Sequence, residues 1–341
     1  MGAPPIGTPP SKPKSSPLVI ALGDPAGIGP EVVLKALAKP GLAGRPVVIV
    51  GCRRWLEHTY GTLQHLSDAP LADPADLMVV DLPLEEAVTM GKGSAASGAA
   101  SFRWLTRAQE LVQGGTGHAL VTGPIAKASW HAAGHAYPGQ TERLAELCGI
   151  AQASMLFTAR PARGPWRFNT LLATTHIPLA RVPAALNPDL VSLQLDRLLA
   201  FCQRFQPEPR LVVAGLNPHA GEAGALGDEE HTWLEACLRR WQARHPEARL
   251  EGPLPPDTCW LEAGVAWQEQ TMGPDGFLAL YHDQGLIPVK LLAFDRAVNT
   301  TLGLPFLRTS PDHGTAFPIA GRSVARSASM VAALETAWEL G

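Results

Sequence analysis

Three histidines, two cations and a few amide and hydroxyl side chains carry the chemistry that this sequence can offer. Residues 276–317, GFLALYHDQGLIPVKLLAFDRAVNTTLGLPFLRTSPDHGTAF, concentrate most of them: His282, Asp283, Lys290, Asn299, Arg308, Asp312 and His313. The run FLALY (277–281) is short, apolar and bounded by Gly276 and the polar HDQG, as expected of a parallel strand covered on both faces. His282 and Asp283 then fall at its carboxyl end, where open α/β sheets place ligand-handling groups. Lys290, Asn299, Arg308, Asp312 and His313 follow in segments punctuated by Gly and Pro, which suit the wall of a site better than a helix face. Two further histidines repeat the pattern. His176 closes NTLLATTH (169–176), and His219 follows the apolar LVVAGL in RLVVAGLNPHAG (210–221).

A lone histidine after a strand is as readily a hydrogen-bonded loop residue as a metal ligand. Three neutral imidazoles delivered by separate strands suit a borderline divalent ion such as zinc, manganese or cobalt, and leave coordination positions open for substrate. Asp257 and Asp283 lie close by in sequence order and strengthen the case for a metal centre.

The elements that must position these groups follow from composition and pattern. A chain of 341 residues with 46% hydrophobic content exceeds the usual size of one core, so two domains are expected. Twenty-eight basic residues stand against 31 acidic ones, a net charge of -3 without a long block of either sign. That balance argues against a nucleic-acid groove or an anionic membrane surface as partner. Five scattered cysteines without C-x-x-C spacing fit a reducing, cytoplasmic setting and small core residues. Residues 1–17, rich in Pro, Ser and Gly, are expected to form a disordered tail, not a signal peptide, and no apolar run reaches the length of a membrane span.

From residue 18 onward, strands and helices alternate. LVIAL (18–22) leads into GDPAGIGPEVVLKALAK, where Pro30 suits the first helical position and Glu31 the positive helix N-terminus. The glycine spacing there is neither G-x-G-x-x-G nor a P-loop. PVVIVG, LMVVDL, HALVTGP, ASMLFTA and LVVAGL supply further strands, with helices expected near 53–60, 99–113, 187–205 and 228–245, and a last one at the C-terminus. Thr141 is expected to cap a helix after Pro138-Gly139, which places Gln140 and Thr141 at an end that favours anions. GPLPPDTCW (252–260) is expected to be a rigid connector carrying Asp257. His131 and His135 have helical spacing but no third partner, which leaves them structural or at the surface.

The segments GDPAGIGPEVV, VTGPIAK, ATTHIPL, GLNPHAGEAGALGDEE, GPLPPDT, YHDQGLIPVK and VNTTLGLPFLRTSPDHGTAFPIAG resemble the motifs of the 4-hydroxythreonine-4-phosphate dehydrogenase family of pyridoxal phosphate (vitamin B6) biosynthesis. The resemblance runs from residue 18 to about 325. It implies an α/β fold with two α/β/α domains, like isocitrate and isopropylmalate dehydrogenases, in a homodimer whose active site lies in the interdomain cleft at the dimer interface. The first domain would comprise 18–128 with 303–341, and the second 129–302.

The resemblance also assigns roles. Metal ligands fall on His176, His219 and His282, with zinc, magnesium or cobalt as the ion. Substrate-binding residues fall on Gln140, Thr141, Lys290, Asn299 and Arg308, and NAD or NADP is the hydride acceptor. Lys290 and Asp257 are candidates for the base, although Asp257 suits equally a position behind a ligand histidine. Where the family reads Gly-His-Thr-Glu, this chain has Gly139-Gln140-Thr141-Glu142, so this position cannot exchange a proton near neutral pH. The reaction implied is oxidation of 4-phosphohydroxy-L-threonine to 2-amino-3-oxo-4-phosphooxybutanoate, which decarboxylates to 3-amino-2-oxopropyl phosphate. Asp312, His313 and Gly314 would lie near the nicotinamide or the site wall. Alternatives from the same residues are a D-threonate or D-erythronate 4-phosphate dehydrogenase and, from another class, a metal-dependent hydrolase.

Overall fold

A computed structural model describes residues 16–341. The expected tail lies outside the described residues up to position 15. Ser16 and Pro17, also counted as tail, are instead tied down: His118 Nδ1 lies 2.7 Å from the Ser16 carbonyl, and the His118 amide donates to that of Pro17 at 3.2 Å.

The chain begins with β1 (Leu18–Ala21), α1 (Gly29–Leu37), β2 (Val47–Gly51), α2 (Arg53–Gln64), β3 (Met78–Asp81), α3 (Ala95–Gln113), β4 (Ala119–Thr122), α4 (Lys127–Ala132) and α5 (Gln140–Leu147). Then come β5 (Ser154–Ala159), β6 (Phe168–Leu172), α6 (Val182–Ala185), α7 (Pro188–Cys202), β7 (Arg210–Ala214), α8 (Glu235–Arg244), β8 (Arg249–Leu254), α9 (Leu261–Glu269), β9 (Gly276–Ala279) and α10 (His282–Ala293). Last are β10 (Val298–Leu302), β11 (Leu307–Pro311) and α11 (Ala328–Leu340). Contacts divide this α/β chain into two compact units, one of residues up to Ala153 with Val298–Gly341, the other Ser154–Ala297.

The crossovers at 153/154 and 297/298 differ from the expected 128/129 and 302/303. The physical reason is packing. Helices α4 and α5 lie against α3, and β10 is laddered to β11, so all of these stay with the first unit.

In the first unit the strand order is β3-β2-β1-β4-β11-β10. Every pair is parallel except the β10–β11 hairpin. Strands β1, β2 and β4 are buried along their whole length, which is why they are near-continuous Val, Ile, Leu and Ala. Helix α3 covers β1 and β2, and α11 covers β4 and β11. Glu31 on α1 pairs with Lys35 at 2.7 Å and accepts the Ala325 amide at 3.0 Å, so this buried ion pair fixes the segment leading into α11.

In the second unit the order is β5-β6-β9-β7-β8, antiparallel at β5–β6 and parallel elsewhere. Its core is aromatic: Phe168 meets Phe277 edge to face at 5.5 Å, and Trp260 stacks on Phe277 at 5.0 Å. The segment expected to be a rigid connector begins instead inside β8, an edge strand paired with β7. HDQGLIPVK, expected to be irregular, is the body of α10. Gly285 allows it: a Cβ there would lie 2.5 Å from a Leu172 methyl and 2.9 Å from Ala279 Cβ, so the helix can lie flat on β6 and β9 only without a side chain.

Candidate active site

The first unit assembles a cationic receptor on strands. In the β10–β11 register Thr301 opposes Arg308 and Asn299 opposes Ser310. Directly opposed residues share a face, as do residues two apart, so Asn299, Thr301, Arg308 and Ser310 project to one side of the hairpin. The opposite face is held down by α11, where Thr309 donates its hydroxyl to the Ala333 carbonyl at 2.9 Å.

Arg308 is only 3% exposed. Its Nε and Nη2 donate to Thr122 Oγ1 at 3.1 and 2.6 Å, Nη1 donates to Thr301 Oγ1 at 3.1 Å, and Nη2 donates to Gln140 Oε1 at 3.0 Å. Burial lowers its pKa to about 10, with Glu142 opposing the shift, so the group stays charged near neutral pH. A buried cation with neutral hydrogen-bond partners is a receptor for an anion. Asn299 Oδ1, on the same face, is buried without a hydrogen-bond donor. Leaving it so costs about 1–3 kcal/mol, the kind of debt a ligand donor offsets.

Gln140 is already engaged, since its Nε2 donates to the Gly123 carbonyl at 2.9 Å. Thr141 does not cap α5. The helix begins at Gln140 with Gly139 as the residue before it and no side-chain cap, because Gln140 itself takes the first helical position. Thr141 lies in the first turn, where unpaired amides remain.

The loop after β11 holds His313, whose Nδ1 lies 3.1 Å from the Gly314 carbonyl and whose Nε2 is buried without a partner. Burial lowers its pKa, the backbone contact opposing. Asp24, fully buried after β1, accepts from the Ala26 amide at 3.0 Å and the Ser97 hydroxyl at 3.2 Å, and burial raises its pKa. Gly23 precedes it at φ +79, where a Cβ would lie 2.4 Å from the Pro124 carbonyl oxygen. The glycine-rich turn is thus a packing turn that orients a carboxyl group.

The second unit carries the histidines. His176 and His282 come together, their ring centroids 5.4 Å apart. His282 opens α10, and its Nδ1 lies 2.7 Å from Asp283 Oδ1. With Nδ1–H donated to that carboxylate, Nε2 is left as the lone-pair donor. Thr174, just before His176, donates its hydroxyl to the Leu280 carbonyl at 2.7 Å, which ties the two strand ends together.

His219 is not brought to this pair. Among the described residues no group of three His, Cys, Asp or Glu side chains is placed to hold a metal ion. His219, Ala220, Glu222 and Ala223 have φ between 43 and 54°, with Gly221 at 82°, so the segment winds left-handed. Each such non-glycine residue costs about 1–2 kcal/mol. Glu230, 1% exposed, clamps the turn by accepting the Leu216 and Asn217 amides at 2.6 and 2.7 Å and Asn217 Nδ2 at 2.9 Å. Two imidazoles with one oriented by a carboxylate fit part of a divalent-ion site, while the third donor stands apart on a strained loop.

Of the two candidate bases, Asp257 is an exposed residue of the turn after β8. Lys290 sits on α10, half-buried, its Nζ 5.5 Å from the Phe294 ring centroid, and burial lowers its pKa. That shift favours Lys290 as a proton acceptor. Thr122, Thr301, Asn217 and Glu230 escaped the sequence-based assignment. Thr301 had a signal: it stands two residues from Asn299 on a strand. Glu230 had none, since GDEE reads as a solvated charge run.

Comparison with known proteins adds to this geometry. The 4-hydroxythreonine-4-phosphate dehydrogenase of Synechococcus sp. (strain RCC307) is 65% identical over 328 residues, covering 95% of this chain and 99% of that protein. The D-threonate 4-phosphate dehydrogenase of Salmonella typhimurium is 39% identical over 337 residues, covering 95% of this chain and 98% of that one. The crystal structure of 4-hydroxythreonine-4-phosphate dehydrogenase from Klebsiella pneumoniae matches with a TM-score of 0.81 at 37% identity, over 95% of this chain and 98% of that one. With relatives of this kind along nearly its whole length, the chain is an enzyme of the dehydrogenase class, which displaces the hydrolase alternative. A profile of the pyridoxal phosphate biosynthetic protein PdxA family matches residues 43–337, and the chain belongs to that family.

Proposed function

We propose that this chain catalyses the NAD(P)-dependent, divalent-metal-dependent oxidation of 4-phosphohydroxy-L-threonine to 2-amino-3-oxo-4-phosphooxybutanoate. Loss of carbon dioxide then gives 3-amino-2-oxopropyl phosphate on the path to pyridoxine 5'-phosphate. The observation that carries this reading is Arg308, a buried guanidinium among neutral acceptors, in a chain 65% identical to a relative named for that substrate. The substrate brings a phosphate and a carboxylate; Arg308 supplies a permanent cation for one of them, and Lys290, in the same substrate-binding set, becomes the second cation once it has taken a proton. Asn299, with its unpartnered Oδ1, and Thr141, in the first turn of α5, add directional contacts.

A divalent ion held by His176, His219 and His282, whether zinc, magnesium or cobalt, would supply the positive charge that makes the substrate hydroxyl acidic. Asp283 holds the His282 ring in the tautomer suited to ligation. Lys290, neutral more readily than an ordinary lysine, takes the hydroxyl proton, and Asp257, exposed on the turn after β8, is the second candidate for that role. NAD or NADP, when bound, would supply the hydride acceptor.

A homodimer is part of the proposal. Ile287, Leu291 and Phe294 on and just after α10 are 59, 80 and 62% exposed, and their spacing puts them on one helical stripe. An uncovered apolar stripe of this kind suits a second copy of the chain. A cytoplasmic setting agrees with five free cysteines and with the absence, among the described residues, of a helix long and apolar enough to cross a membrane.

The experiment is NADH or NADPH formation with added divalent metal, comparing 4-phosphohydroxy-L-threonine with D-threonate 4-phosphate and D-erythronate 4-phosphate under identical conditions. Preference for the amino acid is expected. Preference for a sugar-acid phosphate would overturn the substrate assignment and move the enzyme to catabolism.

A further inference from the structure

Arg308 has five N–H donors, and three neutral side chains take four of its hydrogen bonds. One Nη1–H is left over. Thr122 and Thr301 turn lone pairs toward the guanidinium, so each presents its own hydroxyl proton to another side. The collar around the cation therefore keeps two hydroxyl protons free of the guanidinium and contributes no negative charge. Gln140 is locked in one orientation. Reversing its amide would set NH2 against the guanidinium and oxygen against the Gly123 carbonyl, losing both the 3.0 Å and the 2.9 Å contacts.

We propose that Gln140 and Thr122 are positioning residues. They fix the plane of the Arg308 guanidinium, so that its remaining N–H and the two threonine hydroxyls converge on an anionic group of the substrate, and Gln140 acts through Arg308 instead of on the substrate itself. This deepens the proposed function and rests on its assignment of Arg308 to substrate binding.

The neutrality of Gln140 is the substance of the inference. A carboxylate at this position would neutralise Arg308 at hydrogen-bond range and compete with the incoming anion. An imidazole would accept from Arg308 only while unprotonated, and its protonated form would place like charge against the guanidinium. Glu142, two residues after Gln140 in the first turn of α5, is the charged group that acts on Arg308 through space. With glutamine, the receptor's strength is insensitive to pH across the range where histidine titrates.

The test is steady-state kinetics on the full chain with 4-phosphohydroxy-L-threonine, together with competitive inhibition by inorganic phosphate, for Gln140→Glu, Gln140→His, Thr122→Val, Thr122→Ser and Arg308→Lys. Melting temperatures serve as the folding control. Gln140→Glu should raise KM and weaken phosphate inhibition about 10- to 100-fold with kcat little changed, as expected for lost ground-state binding. Thr122→Val should raise KM about 10-fold, and Thr122→Ser, which keeps the oxygen, should restore it. Gln140→His should bind nearly as the parent at pH 8 and lose affinity toward pH 6 by more than the parent does as the phosphate itself takes a proton. If Gln140→Glu and Thr122→Val keep the parent KM while Arg308→Lys raises it, the positioning role is wrong and the substrate assignment stands. If Arg308→Lys also keeps the parent KM, both fall together.

Discussion

Arg308 and His219 show two ways of holding a functional side chain in one protein. Arg308 lies on a strand laddered on both sides, by β4 and β10, and its head group meets three side-chain acceptors. His219 is exposed at the crest of a left-handed turn, and what holds it is a buried carboxylate several residues away. The Arg308 head group is held by four hydrogen bonds within the fold. The imidazoles are a pair, His176 and His282, and a third member on a left-handed turn. A site that must recognise charge gains from rigidity, because the ordering of its side chains is settled during folding. A site that must exchange ligands around an ion tolerates a loop.

The comparison can be broken first at the histidines. His219→Ala and His282→Ala should each abolish divalent-metal binding in calorimetry and lower turnover about 10³-fold or more, with melting temperature unchanged. Activity that survives in metal-stripped protein would remove the imidazole half altogether. Lys290→Met should lower kcat about 10²-fold while nicotinamide binding persists, since it removes a proton acceptor and leaves the rest of α10 in place. Equal loss of cofactor binding would instead make Lys290 a packing residue.

Arg308→Met should raise KM about 10- to 100-fold with kcat nearly intact, which measures the strand-borne half alone. The smallest effect concerns stability. Burial lowers the His313 pKa from 6.5, so the folded protein holds this ring neutral more readily than the unfolded chain does. Its contribution to stability is therefore full above pH 6.5 and is lost as the pH falls through the lower, folded value. His135, shifted the same way by burial and by Arg143, adds to the loss. His313→Asn should make the fall in melting temperature below pH 6.5 shallower without abolishing it, and an unchanged slope would show that the ring does not titrate in the fold.

The strand alternation was legible because burial on both faces leaves little choice of residue. LVIAL, PVVIVG, HALVTGP and FLALY all became strands within a residue or two of their apolar runs. Asn187 was legible as a helix cap by its chemistry, and its Oδ1 accepts the Leu190 amide at 2.9 Å. The β10–β11 hairpin was not, because VNTTL and LRTSP bury polar side chains, Arg308 donating to Thr301 across the ladder and Thr309 to α11, so no apolar period marks them. Helix α10 was hidden by Gly285 and Pro288, residues that ordinarily end helices. Here the glycine answers to the sheet beneath it. The candidate residues could be named by type, but their partners could not: Thr122 meets Arg308 across 186 positions of sequence.

The left-handed turn carries a consequence for how this protein would respond to selection. Glycine at position 220 or 223 would relieve the unfavourable φ of 52 or 54°, gaining about 1 kcal/mol each after the extra freedom of the unfolded chain is counted. The same change would let His219 wander. A library screened for survival of heating should thus accumulate glycine in this turn, while one screened for turnover should reject it, and the two screens would part company there.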